Sequence, residues 1–136
     1  MPSEENSQDR RKPVIRLKRL ETVRHLSPEE LDELPIGVIK VTRDGTVLTY
    51  NASEARLAQR NPGDVIGKNF FTDVAPCTNV QEFAGKFWRG VERGGTHEIF
   101  PFIFPFPHGT VHVSITIEYE AQDDCAWIFV EEFGRT

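Results

Sequence analysis

A chain of 136 residues with 38% hydrophobic and 27% charged side chains can bury one core in one domain, which excludes disorder throughout. The net charge of -5 speaks against nucleic acid as a partner, because an acidic body repels phosphate backbones. No apolar run approaches the ~20 residues that cross a bilayer, no signal-like stretch follows the opening MPSEENSQDRRK, and a cytoplasmic protein without membrane contact is expected.

The chain begins with a basic arm. Residues 1–26 hold seven Lys/Arg against four acidic side chains, a net of +3 that leaves -8 on the remaining 110 residues. Such an arm either docks on the acidic body or stays a solvated tail. The domain itself is expected over 27–136. Its first helix signal is Ser27-Pro28-Glu29-Glu30, a capping box with proline at the first helical position, closed by Pro35. Gly37 to Thr42 and Thr46 to Tyr50 flank the turn Arg43-Asp44-Gly45 and predict a hairpin. Asn51 caps a short helix, ASEARLAQR, that Asn61-Pro62-Gly63 ends.

From Val65 to Thr78 no clean period exists, and the segment reads as short turns packed on a core. Val80, Phe83, Ala84, Phe87, Trp88 and Val91 then fall at helical spacing, predicting one amphipathic helix of about four turns from Asn79 to Gly94-Gly95. Three strands follow: Thr96 to Phe106, Thr110 to Tyr119, and Cys125 to Phe133. Phe100, Phe102, Phe104 and Phe106 share one face at period two, either as core or as the wall of an aromatic ligand site. Pro101 and Pro105 lack donors on the same side and make this an edge strand. Strand pair, short helices, one longer helix and three strands describe an α+β fold with a five-stranded antiparallel sheet, one face of which is buried by helices. This is the element order of PAS domains.

Few residues can carry chemistry. Cys77 lies just before the helix expected near Asn79, where amides favour a thiolate or a thioester oxygen, the alternative being an inert buried thiol. Cys125, at a strand start, reads as structural; two cysteines build neither a disulfide framework nor a cysteine-rich metal site. Tyr50 and Glu54 are four apart and can present a hydroxyl and a carboxyl to one oxygen, or serve only as core aromatic and capping residue. None of His25, His97, His108 and His112 falls in a nucleophile motif with a cysteine, and no phosphate loop or HExxH is present.

The run VIGKNFFTDVAPCTNVQEFAGKFWRGV, with LTYNASE before it and AWIFVE near the end, closely resembles the photoactive yellow proteins, blue-light receptors with a PAS fold. The resemblance spans Gly37 to Val130 and leaves the first 26 residues unmatched. It implies p-coumaric acid (4-hydroxycinnamic acid) bound as a thioester to Cys77, with Tyr50 and a protonated Glu54 hydrogen-bonded to its phenolate. It further implies Arg60 as a screen from solvent, and Phe70, Val74, Ala75 and Phe104 as the pocket wall. Isomerisation, proton transfer from Glu54 and partial unfolding would then signal to a downstream protein, without enzymatic turnover, from a monomer or weak dimer.

Ala58 stands where the best-known members have Thr, the loop after Phe106 is about two residues shorter, and His108 falls near a Met of the family. These departures bear on colour and on recovery. The rival readings are a PAS interaction module without chromophore and a Cys77 thiol hydrolase.

Overall fold

The computed structural model describes residues 21–135, so most of the arm, residues 1–20, lies outside the described residues. Ser27 caps α1 (Pro28–Asp32) through the full capping box, its hydroxyl accepting from Glu30 N while the Glu30 carboxylate accepts from Ser27 N. β1 (Gly37–Thr42) and β2 (Val47–Tyr50) pair antiparallel around the Asp-Gly turn, where Gly45 takes a positive φ of 93°. α2 (Ala52–Ala58), α3 (Pro62–Val65) and α4 (Lys86–Arg93) cross to β3 (Gly95–Phe106), β4 (Gly109–Glu120) and β5 (Cys125–Arg135). The five strands form one antiparallel sheet in the order β2-β1-β5-β4-β3. The chain matches the PAS-type α+β arrangement expected, with the proline-bearing strand at an edge.

Both rims of this sheet are interrupted. At β2, Val47 donates to the Lys68 carbonyl at 2.9 Å and accepts from Gly67 N at 2.8 Å. At β3, Pro101 and Pro105 take positions whose amides would point outward.

Three helical expectations are corrected. α2 stops at Ala58 because Gln59 turns left-handed at φ 55°, and Asn61 does not end that helix but caps α3 by accepting from Gly63 N at 2.9 Å. The predicted four-turn helix from Asn79 is instead a π-helical turn, Gln81–Gly85, followed by α4. Its wider i→i+5 closure, Gly85 N to Val80 O at 3.1 Å, breaks the 3.6-residue phase. Phe83, Ala84 and Phe87 face the core, whereas Val80 and Trp88 are exposed. A second π turn, Phe70–Val74, and a 3₁₀ turn, Pro76–Thr78, fill the aperiodic middle.

The inner face of the sheet, including Ile39, Val41, Ile115, Ile117 and Ile128, packs against Leu57, Phe70, Phe71, Phe83 and Phe87. The outer face is covered too, against the one-sided expectation. Val23 and Leu31 bury Val38, Trp127 and Phe129 there, with Leu26, Leu34 and Ile36 beside them. Arg24 lies 3.6 Å from Asp123. Among the described residues no helix is long and apolar enough to cross a membrane.

Candidate functional site

Between α2, the turns at 70–78 and the end of β3 lies a cavity of about 470 Å³, a volume suited to a small ligand. Tyr50, Glu54, Arg60, Phe70, Val74, Ala75, Cys77 and Phe104 all line it. The residues singled out from the sequence therefore converge from three stretches of chain, 50–60, 70–77 and the end of β3, on one space. Gln59, Pro76, Pro105, Phe106, Pro107 and His108 complete the lining together with Ala58. The prolines and Gln59 are its exposed members and mark where it meets solvent.

Glu54 owes its position to Asn51. Asn51 Oδ1 accepts from Glu54 N at 3.1 Å and from Val38 N at 2.8 Å, and Nδ2 donates to the carbonyls of Leu31 and Ile36 at 2.8 and 3.0 Å. The capping-box reading of Glu54 fails, because the Asn51 amide that its carboxylate would bind donates to Val38 O instead. The carboxyl is freed for the cavity. It is 2% exposed, its Oε1 has no hydrogen-bond partner among the described residues, and burial pushes it up to about 8.

Gly37, which the sequence reading did not select, makes this placement possible: a Cβ there would overlap Glu54 Oε1. A glycine opening a strand is a generic sign of close approach, without naming the atom that approaches. Tyr50 is 5% exposed, and burial, then the proximity of Glu54, raise its hydroxyl well above the ordinary phenol value, against a lowering by Arg60. Arg60 Nη1 donates to Val74 O at 2.8 Å and joins the end of α2 to the segment that carries Cys77.

Cys77 sits inside the 3₁₀ turn, half-buried, with the next helical turn beginning only at Gln81. The expected helix start beside it is absent. Burial pushes its thiol up, partly offset by a backbone hydrogen bond, so the free side chain is a thiol rather than a preformed thiolate. Cys125 lies in a separate crevice with Arg24, Lys40 and Asp124. His97 pairs with Glu118 across β3 and β4, and His112 packs on Phe133. His108 alone among the described histidines reaches the cavity, and its Nε2 is engaged with Leu57 O.

The donor set fits a small aromatic acyl group bearing an acidic oxygen. One thiol can anchor it, an unpartnered buried carboxyl and a phenol can face the oxygen, and Phe70, Val74 and Phe104 supply an apolar wall.

Comparison with known proteins agrees with the fold. Residues 28–119 match the PAS fold family. The photoactive yellow protein of Rhodothalassium salexigens is 41% identical over 102 residues, covering 75% of this chain and 82% of that protein. That of Cereibacter sphaeroides is 36% identical over 112 residues, 82% of this chain and 90% of the other. Among solved structures, the photoactive yellow protein domain of the sensor histidine kinase Ppr from Rhodospirillum centenum superposes with a TM-score of 0.78 at 42% identity. That match covers 82% of this chain and 97% of the domain.

Proposed function

This chain belongs to the photoactive yellow protein family of PAS domains, and on that premise we propose that it is a blue-light photoreceptor with p-coumaric acid bound as a thioester to Cys77. A photoreceptor role is supported by the relatives; the chromophore chemistry is our reading of the site. The observation that carries it is the cavity that brings Cys77 together with Tyr50 and an unpartnered, protonated Glu54.

The bound group would supply absorption of blue light and a double bond that isomerises. The chain supplies the rest. Glu54, neutral at pH 7, donates a hydrogen bond toward a negative oxygen in the cavity, and Tyr50, also neutral, donates a second from Oη. Phe70, Val74, Ala75 and Phe104 exclude water, and Arg60, tied to Val74 O, screens the remaining side. Glu54 is the proton source. Once it gives its proton up, its carboxylate is a buried charge in an apolar site, a cost of several kcal/mol. That is comparable with the ~5–15 kcal/mol that holds a domain together, and the resulting partial unfolding is the proposed signal to a downstream protein. No enzymatic turnover is involved.

Mixing the purified chain with activated p-coumaric acid should raise its intact mass by one hydroxycinnamoyl group and create a long-wavelength band. Cys77→Ser should abolish both and Cys125→Ser should keep both, while Glu54→Gln should red-shift the band and remove the light-induced infrared signal of a deprotonating acid. Uptake only at Cys125, or none at all, would overturn the reading and leave a PAS interaction module.

A further inference from the structure

His108 lines the cavity but has no part in the chemistry above. Phe106 pairs with Gly109 in the β3–β4 hairpin, so Pro107 and His108 are its two turn residues. The ring of Pro107 restricts its φ, and Gly109 takes a positive φ of 140°. Between these neighbours the His108 ring is aimed back at the cavity. It stacks on Phe106 with centroids 4.9 Å apart and planes at 10°, and Phe106 stacks on Phe104 at 5.0 Å and 14°.

The same ring reaches across 51 positions of chain to α2, with Nε2 3.0 Å from Leu57 O. A carbonyl only accepts, so Nε2 carries the hydrogen. Leu57 lies in the last turn of α2, where carbonyls lack partners within the helix. Its predecessors Ala55 O and Arg56 O accept from Arg60 N and Gln59 N, and His108 satisfies the next one from another part of the fold. Three residues beyond Leu57, Arg60 binds Val74 O. The end of α2 is thus fastened to the β3–β4 turn by one side chain and to the Cys77 segment by another, and both fasteners line the cavity near its exposed members.

We infer that His108 is a positioning residue, a latch between α2 and the β3–β4 turn that restricts the entry of solutes to Cys77. The donor at Nε2 makes the closure and the ring stack aims it. The inference needs only the thiol in the cavity and not the proposed chromophore, so the two readings fail separately.

The test uses the full chain without chromophore and the rate at which iodoacetamide alkylates each cysteine, resolved by peptide mass. Cys125, in its own crevice, reports on general loosening. His108→Phe retains an aromatic ring but removes the donor, and His108→Ala removes both. Each should speed alkylation of Cys77 about fivefold, the effect of losing one net hydrogen bond from the closed state, with Cys125 unchanged. His108→Gln, which restores a donor, should return Cys77 toward the wild-type rate. Unchanged Cys77 rates in the Phe and Ala variants would overturn the latch. So would parallel acceleration of both cysteines, which would make His108 a support of the whole fold. If the wild-type chain takes up no hydroxycinnamoyl group while the selective effect persists, the photoreceptor reading falls and the latch stands.

Discussion

Glu54 concentrates the single-residue physics of this molecule, and it couples the site to folding before any ligand is considered. Its ordinary value is 4.5 and its folded value about 8. Between those limits the unfolded chain has released a proton that the folded chain keeps, so rising pH favours the unfolded state. The contribution of Glu54 to stability therefore falls from about pH 4.5 to about pH 8 and then levels off, at about 1.4 kcal/mol for each unit crossed. Glu54→Gln should remove this slope. Urea midpoints measured at pH 5 and pH 8 should drop for the wild-type chain and stay nearly level for the variant, whereas equal drops would show that the buried acid is not the titrating group. The spacing of Tyr50 and Glu54 was legible in the sequence, and the wall residues Val74 and Ala75 only through family resemblance. The competition for the Asn51 amide was not legible, because Val38 is its partner only once β1 lies beside α2.

Among the elements, the strands were readable nearly to their ends because β-branched and aromatic runs are bounded by turn residues, and at the edge strand β3 the Phe100 to Phe106 stripe does turn inward. The segment from Asn79 to Arg93 misled because a π turn keeps apolar residues close to helical spacing while rotating them off the shared face. Asn51 shows what element-level reading understates. Its side chain was legible as a cap, yet it also holds α1 and β1 through Leu31 O, Ile36 O and Val38 N, and it is 1% exposed. Replacing it by alanine strands several buried backbone groups at about 1–3 kcal/mol each. Asn51→Ala should lower unfolding free energy by roughly 3–5 kcal/mol, read from denaturant melts; a loss under about 1 kcal/mol would reduce Asn51 to an ordinary cap.

At the scale of the whole molecule, Asn51 connects the two faces of the sheet. Its Oδ1 caps the helix that carries Glu54 on the inner side, while its Nδ2 holds the carbonyls of Leu31 and Ile36, in the segment that covers Trp127 and Phe129 on the outer side. A charge appearing on Glu54 loads the helix start that this residue caps, and the covering segment shares the anchor. In the chromophore-loaded protein, blue light should therefore accelerate amide exchange across residues 21–36, measured by mass spectrometry; identical exchange in light and dark would confine the response to the cavity. Deletion of residues 1–26, which removes Val23 from the cover, should preserve the dark spectrum and slow recovery. The two interrupted rims of the sheet matter for the proposed cycle. A chain that loosens and re-forms with each photon repeatedly passes through states in which open strand edges recruit other copies. With β2 covered at Val47 by residues 67 and 68 and β3 interrupted by Pro101 and Pro105, the proposed light cycle would start from and return to a sheet with little open edge for another strand to extend.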